Sequence, residues 1–194
     1  MNLKDKVVLV TGSGSGIGRK TSLVCAEYGA TVIALDINEE AAKLTEKMII
    51  DADGTAMAAK ADITDRVQVH TVIEDVIARF KKIDVLVNNA GSTRLGTMVD
   101  LEDSTYDFII NLNMKGPFIM STEVAKVMIP RRSGRIINIT SYCAVRGEFA
   151  NAPYCMAKAG IKMMTQVQAL ELGQYGISAV AIAPGDRKST RLNS

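Results

Sequence analysis

A tyrosine and a lysine four residues apart carry the chemistry that this sequence most directly suggests. Tyr154 and Lys158 stand in PYCMAKAG, where Pro153 suits the first position of a helix and Ala157, Ile161, Met164 and Leu170 recur at helical spacing. Residues i and i+4 share a helix face, so the phenol and the ammonium can be neighbours. A free phenol ionises near pH 10, and a fixed cation beside it favours the phenolate. Lowering that value by two to three units takes roughly 3–4 kcal/mol of differential stabilisation. Such a tyrosine could exchange a proton with an alcohol or a ketone near neutrality. Ser141, thirteen residues upstream at the end of the β-rich run Arg135–Thr140, could hold the same oxygen. Taken alone, a YxxxK pair is commonly no more than a surface turn of an amphipathic helix, so the elements around it must decide.

Those elements alternate. Val7 to Val10 is a continuous apolar run suited to a strand buried on both faces. Thr11-Gly12-Ser13-Gly14-Ser15-Gly16-Ile17-Gly18 follows, and a helical pattern then runs to Tyr28. Strand, glycine turn and helix together are the context in which N–H groups at a helix start bind a diphosphate. The GxGxxG template does not fit; GxxxGxG does, at Gly12, Gly16 and Gly18, with a merely flexible turn as the other reading. A second strand, Thr31 to Leu35, ends at Asp36. A carboxylate there can accept both hydroxyls of an adenosine ribose. It would repel a 2′-phosphate by roughly 4 kcal/mol at about 4 Å and an effective dielectric near 20. Asp36 could instead cap a helix, but Asn38 is better placed for that. NAD is therefore expected over NADP.

A third strand, Thr55 to Ala61, is closed by Asp62-Ile63-Thr64, with Thr64 read as the cap of a helix reaching Lys81. Asp62 either bonds an adenine amino group or simply ends the strand. The lone histidine, His70, falls among polar neighbours in that helix and reads as a surface residue. The fourth strand, Ile83 to Val87, runs into Asn88-Asn89-Ala90-Gly91, small residues that permit close approach of a ligand or a second backbone. Two helices, 101–113 and 115–131, the strand 135–140, the helix from Pro153 to Gly173 and a strand Ile177 to Ile182 complete the pattern. The expected fold is α/β, one doubly wound, Rossmann-type parallel sheet of about six strands with helices on both faces, binding ligands at its C-terminal edge.

Composition narrows the function classes. The chain has 194 residues, 47% hydrophobic, with no Trp, so one domain with a substantial core is expected and an aromatic nucleic-acid platform is not. Net charge is +2, from 23 basic and 21 acidic residues. The last nine residues, DRKSTRLNS, hold three of the bases and one of the acids, leaving 20 of each in residues 1–185. That balance gives no electrostatic case for nucleic acid or an anionic membrane. Cys25, Cys143 and Cys155 show no metal-binding spacing, and their odd number fits a reduced, cytoplasmic setting. The first strand begins almost at once, which leaves no room for a leader peptide, and no apolar run reaches the length of a membrane span.

Taken together, TGxxxGIG at Thr11–Gly18, NNAG at Asn88–Gly91, Ser141, Tyr154xxxLys158 and Pro184-Gly185 closely resemble the short-chain dehydrogenase/reductase family, without a gap over residues 4–185. The resemblance implies an oxidoreductase that moves a hydride between a secondary alcohol or ketone and a nicotinamide. Tyr154 would be its general acid/base, Ser141 would orient the substrate oxygen, and Lys158 would bind the ribose and lower the Tyr154 pKa. Asn113, in NMKGPF, would support a proton relay, with Asn111 structural. The same resemblance places the dinucleotide along Gly12, Ser15, Gly16, Ile17 and Gly18, then Asp36, Asp62 and Ile63. It continues past Asn89, Ala90 and Gly91 to Tyr154, Lys158, Pro184 and Gly185, with no metal. The chain carries Val180 where family members often carry Asn, and Ser189 where they often carry Thr.

Relatives continue for some sixty residues through a lid, a helix and a final strand. The sequence therefore reads as a chain lacking its final strand, with residues 186–194 a polar, non-native tail, and Ile177–Ala183 becomes an apolar edge. Two other readings are a 3-oxoacyl-acyl-carrier-protein reductase, which normally uses NADPH, and an inactive dinucleotide-binding fragment. Substrate-lining candidates are 92–95 and 144–149, with Arg94 and Arg146 as polar handles. Helices 115–131, with Phe118, Ile119, Val124, Val127 and Met128, and 153–173, with Ile161, Met163, Met164 and Val167, are expected to form a homodimer. A tetramer would need the parent chain's further helix and strand.

Overall fold

The computed structural model describes residues 2–185, so the expectations placed on Ser189 and on 186–194 lie outside the described residues. Six parallel strands form one sheet in the order β3-β2-β1-β4-β5-β6. They are β1 (Val7–Thr11), β2 (Thr31–Asp36), β3 (Thr55–Lys60), β4 (Val85–Asn88), β5 (Gly134–Ile139) and β6 (Ile177–Ile182). The continuous apolar runs occupy the centre: all five residues of β1 are buried, as a strand covered on both faces requires. Helices α1 (Gly16–Glu27) and α2 (Glu39–Ile50) help cover one face, with Cys25 and Ile49 packed against Val8, Val10 and Val32. On the other, α3 (Arg66–Phe80) and α5 (Gly116–Met128) bury Val69, Val76, Ile119, Met120 and Val124 against Leu9, Ile33 and Leu86, and α6 (Ala152–Gly173) adds Leu172.

Order reverses between β1 and β4, because β2 lies on one side of β1 and β4 on the other. The loops leaving these strands diverge there, opening a crevice at the C-terminal ends. Buried amides clamp the neighbouring strands. Asn88 donates to Ser121 (2.9 Å) and Asn138 (2.8 Å), and Asn138 donates to Thr165 (2.9 Å) and Gln168 (2.8 Å). One network thereby ties β4 and β5 to α5 and α6, the elements that carry the reacting side chains.

Local boundaries depart from expectation in two places. Asp65, not Thr64, caps α3, accepting the Val67 and Gln68 N–H groups, because the Thr64 hydroxyl is drawn back to Asp62 at 2.8 Å. The expected break between two helices near Met114 is a π-helical turn, Asn111–Lys115, joining α4 (Asp103–Ile110) to α5 without interruption. Gly116 N–H reaches back five residues to Asn111, and Pro117 has no N–H to return to Asn113, so the α-helical bond is unavailable there.

The expected partner-facing set needs correction. Ile119, Val124, Met128 and Ile161 are fully buried in the core, and Val127 is half-buried against it. Of the expected set Phe118 (53% exposed) on α5 and Met163 (59%) and Val167 on α6 do face outward, joined on α6 by Met156 and Leu170 (81%). Helical periodicity located the helices, but the sheet they cover claims the larger share of their apolar residues. β6 is an edge strand among the described residues, with Val180 and Ile182 exposed. None of the described helices is long and apolar enough to cross a membrane.

Candidate active site

The crevice is a cleft of about 790 Å³ whose lining includes the loops after β1, β2, β3, β4 and β5. At one end the glycine turn is built for close approach. Gly12 and Gly16 both have positive φ (65° and 51°), where residues with a Cβ are strained. A Cβ on Gly16 would meet nothing within 4 Å, so this residue opens to the cleft. Gly18 has a different role: a Cβ there would lie 2.0 Å from the Gly12 carbonyl oxygen, and the residue does not line the cleft. It is the packing glycine that lets α1 start directly beneath the turn. Ser15, at the N-cap of α1, makes no side-chain cap, and the first turn has no acidic residue. The N–H groups and positive dipole of that helix end therefore suit an anion.

The glycine turn and the NNAG segment are fastened to each other. The Thr11 hydroxyl accepts the N–H groups of Asn89 and Ala90, both at 3.0 Å, and the Asn89 amide donates to the Thr11 carbonyl at 2.9 Å. Asp36 lines the cleft at the tip of β2, oriented by the Gly14 N–H (2.8 Å) on Oδ2 and the Asn38 N–H (2.9 Å) on Oδ1. Asn38 caps α2 through Ala41, as expected. The nearby cation, Arg19, is tied back to the Gly14 carbonyl and to the Thr45 hydroxyl (3.1 Å). Asp62 also lines the cleft, while its Oδ1 closes a turn on the Thr64 N–H at 2.8 Å; Ile63 lies beside it, buried.

At the other end β5 delivers Ser141 and α6 delivers Tyr154 and Lys158 to one wall, and all three line the cleft with Pro184 and Gly185. Thr140 pins the wall by donating to the Lys158 carbonyl at 2.8 Å, and Lys158 Nζ donates to the Ile139 carbonyl at 2.9 Å. Lys158 Nζ lies 5.4 Å from the Tyr154 ring centroid. Burial pulls the Lys158 ammonium down to about 8. Burial pushes the Tyr154 phenol up, opposed by the Ser141 hydroxyl. The expected lowering of the phenol by Lys158 is therefore not found in this structure: burial raises it, and Ser141 is what opposes the rise.

Asn113 lies in the π turn, fully buried, its amide donating to the Ser92 (2.7 Å) and Ile109 (2.9 Å) carbonyls. Its Oδ1 has no protein partner, and a Cβ on Gly91 would stand 2.6 Å from that oxygen and 3.4 Å from Lys158 Nζ. Gly91 is small so that these two side chains can converge. Of the substrate-lining candidates, Thr93, Leu95 and Glu148 line the cleft, whereas Arg94 stacks on the Phe108 ring (4.2 Å) and Arg146 is exposed elsewhere. Glu148 falls in the expected range 144–149, but it, and not Arg94 or Arg146, is the polar handle that lines the cleft, joined by Asn151 and Tyr142 from outside that range. A usable signal existed, since Glu148 is the sole acid between Ser141 and Tyr154.

The sequence profile of short chain dehydrogenases matches residues 6–194. The chain belongs to that family. As a short-chain dehydrogenase it is an oxidoreductase that uses a nicotinamide dinucleotide and a small-molecule substrate. It is 40% identical over 190 residues to a 3-oxoacyl-acyl-carrier-protein reductase of Thermotoga maritima, covering 95% of this chain and 75% of that protein. It is likewise 40% identical over 186 residues to a galactitol 2-dehydrogenase of Agrobacterium fabrum, covering 95% and 72%. Among solved structures, NAD+-bound xylitol dehydrogenase superposes with a TM-score of 0.93 at 33% identity, covering 95% of this chain and 72% of that one. The short-chain dehydrogenase thus spans about three quarters of the length of these relatives.

Proposed function

We propose that this short-chain dehydrogenase oxidises secondary alcohols, or reduces the matching ketones, with NAD in preference to NADP. The observation that carries the reading is the convergence of Ser141, Tyr154 and Lys158 on one wall of a cleft whose far end presents Asp36. The bound dinucleotide supplies the hydride acceptor or donor. Tyr154 takes or gives the hydroxyl proton, Ser141 holds the same oxygen, and Lys158 offers its buried ammonium to the ribose. Asn113, with an unpartnered oxygen beside Lys158, supports the path by which that proton leaves. The helix end at Ser15–Ile17 and the turn at Gly12 and Gly16 receive the diphosphate. Asp62, Ile63, Asn89, Ala90 and Gly91 flank the rest, with Pro184 and Gly185 closing the nicotinamide end.

The NAD preference rests on Asp36. Its carboxylate is held by two backbone N–H groups and still has acceptor capacity for ribose hydroxyls, while Arg19 is committed elsewhere and cannot balance a phosphate. NAD should therefore exceed NADP in kcat/KM by at least tens of fold, roughly the effect of one like-charge contact. Asp36→Ala should narrow the ratio by about tenfold or more, read from steady-state kinetics with both cofactors. Equal efficiency with NAD and NADP in the unmutated protein would contradict this assignment. The same test weighs the 3-oxoacyl reductase reading, favoured by the Thermotoga maritima relative, because that reaction normally uses NADPH.

We also propose a homodimer, in a cytoplasmic setting consistent with three free thiols. Phe118 and the α6 stripe Met156, Met163, Val167 and Leu170 are the surface we assign to it. Light scattering should give twice the chain mass, and Met163→Glu with Leu170→Glu should shift the protein to the monomer. A monomer before mutation would show that these faces are adequately solvated alone.

A further inference from the structure

One charged side chain in the cleft has no part in the chemistry above. Glu148 lines the cleft together with Ser141 and Tyr154, and its carboxylate is held on both oxygens. Oε1 accepts the Tyr142 hydroxyl at 3.0 Å, and Oε2 accepts the Asn151 amide at 2.7 Å and the Cys143 thiol at 3.3 Å. These anchors are themselves anchored. Asn151 is 3% exposed and sits at the N-cap of α6, where an Asn oxygen ordinarily accepts a first-turn N–H. It makes no such cap; its oxygen accepts the Thr93 hydroxyl at 2.5 Å, which leaves its amide aimed at Glu148. Glu148 in turn holds the Tyr142 phenol up to about 12, so that phenol stays a donor.

A carboxylate offers about four acceptor positions, and three are used here. The remaining one is on Oε1 of an exposed side chain in the open cleft. Asn151 lies three residues before Tyr154 at the start of α6 and Cys143 two residues after Ser141, and both donate to Glu148, so its carboxylate stands beside the reacting pair. Opposing cations are scarce. Lys158 is the sole cation lining the cleft among the described residues, and it already donates to Ile139; neither Arg94 nor Arg146 lines the cleft.

We propose that Glu148 makes this enzyme selective for polyols, accepting a hydrogen bond from a hydroxyl neighbouring the one that Tyr154 and Ser141 address. The inference rests on the reading of Tyr154 and Ser141 as the reacting pair. An uncharged polyhydroxylated chain supplies the missing donor. A carboxylate or phosphate at that position meets a fixed negative charge with no cation beside it.

The test compares xylitol and galactitol with 2-butanol, using NAD and the full chain. Glu148→Ala should lower kcat/KM for both polyols by about 10- to 100-fold, as expected for losing a hydrogen bond to a charged group. Activity on 2-butanol should stay within about threefold. Glu148→Gln preserves shape and one acceptor, so it should fall between the two and guards against a folding defect in the alanine variant. A neutral residue here also removes one charge that raises the phenol, so the alkaline limb of the pH profile should move to lower pH in Glu148→Gln. Calorimetry on Tyr154→Phe protein saturated with NAD gives the same comparison without turnover, and xylitol should bind there more weakly once Glu148 is replaced. Parallel loss of polyol and 2-butanol activity, or polyol binding indifferent to Glu148, overturns the proposal while leaving the oxidoreductase reading intact. Polyol binding that depends on Glu148 in a protein that oxidises no alcohol supports the subsite and removes the reaction.

Discussion

Tyr154→Phe should abolish turnover, by at least about 10²–10⁴-fold, while NADH binding stays within a few fold of the unmutated protein. The substitution removes one oxygen and keeps the ring, so the contact of Lys158 with that ring and the packing of α6 persist. What disappears is the group that exchanges the substrate proton. Burial sets the Tyr154 phenol above its ordinary value, with Ser141 acting in the opposite sense. Alcohol oxidation needs the deprotonated form, so its rate should climb with pH into the alkaline range. Ketone reduction needs the protonated form and should hold through neutrality. Both limbs should flatten in Tyr154→Phe. Retention of more than about a hundredth of the activity would place the acid/base elsewhere.

The second large effect is expected at Lys158. Its side chain is 4% exposed and spans from α6 to the Ile139 carbonyl at the end of β5. Lys158→Ala removes the ammonium offered to the ribose, opens a space behind the Tyr154 ring and leaves the Ile139 carbonyl unpaired. Losing a hydrogen bond from a charged donor costs about 1.5–3 kcal/mol. Cofactor Kd should rise and kcat fall, each by about tenfold or more. Lys158→Met separates the causes, because it fills the space of the stem and lacks only the charged donor. It should recover the part of the thermal stability that comes from packing, not the part that comes from the lost Ile139 hydrogen bond, and none of the activity. Activity in Lys158→Met comparable to the unmutated protein would mean that the lysine serves packing alone.

How far the sequence reveals this site depends on how local each determinant is. The glycine turn is legible because its demands are local: Gly12 and Gly16 take positive φ, and Gly18 must clear the Gly12 carbonyl. The YxxxK pair is legible because helix geometry alone puts Tyr154 and Lys158 on one face. The cap of α3 was misplaced because Thr64 and Asp65 are both capable, and the choice turns on Asp62 capturing the Thr64 hydroxyl. The π turn is not legible because its five-residue hydrogen bond leaves no periodic mark, although Pro117, lacking an N–H, signals that the helix cannot be regular there. On α5 only Phe118 of the expected residues faces outward, because apolar periodicity does not say which of two surfaces, sheet or solvent, claims a stripe. Glu148 depends on a loop, a forgone cap and Thr93 from a distant segment, contacts that no spacing rule encodes.

The most direct measurement of the central claim follows the hydrogen itself. The protein is incubated with NAD and a secondary alcohol carrying deuterium on the carbinol carbon, and the reduced cofactor is analysed by mass spectrometry. The account predicts deuterium in the reduced nicotinamide for the unmutated protein and none above background for Tyr154→Phe, although both bind the cofactor. Cofactor binding without deuterium transfer from any alcohol tried, or equal transfer by both proteins, would contradict it.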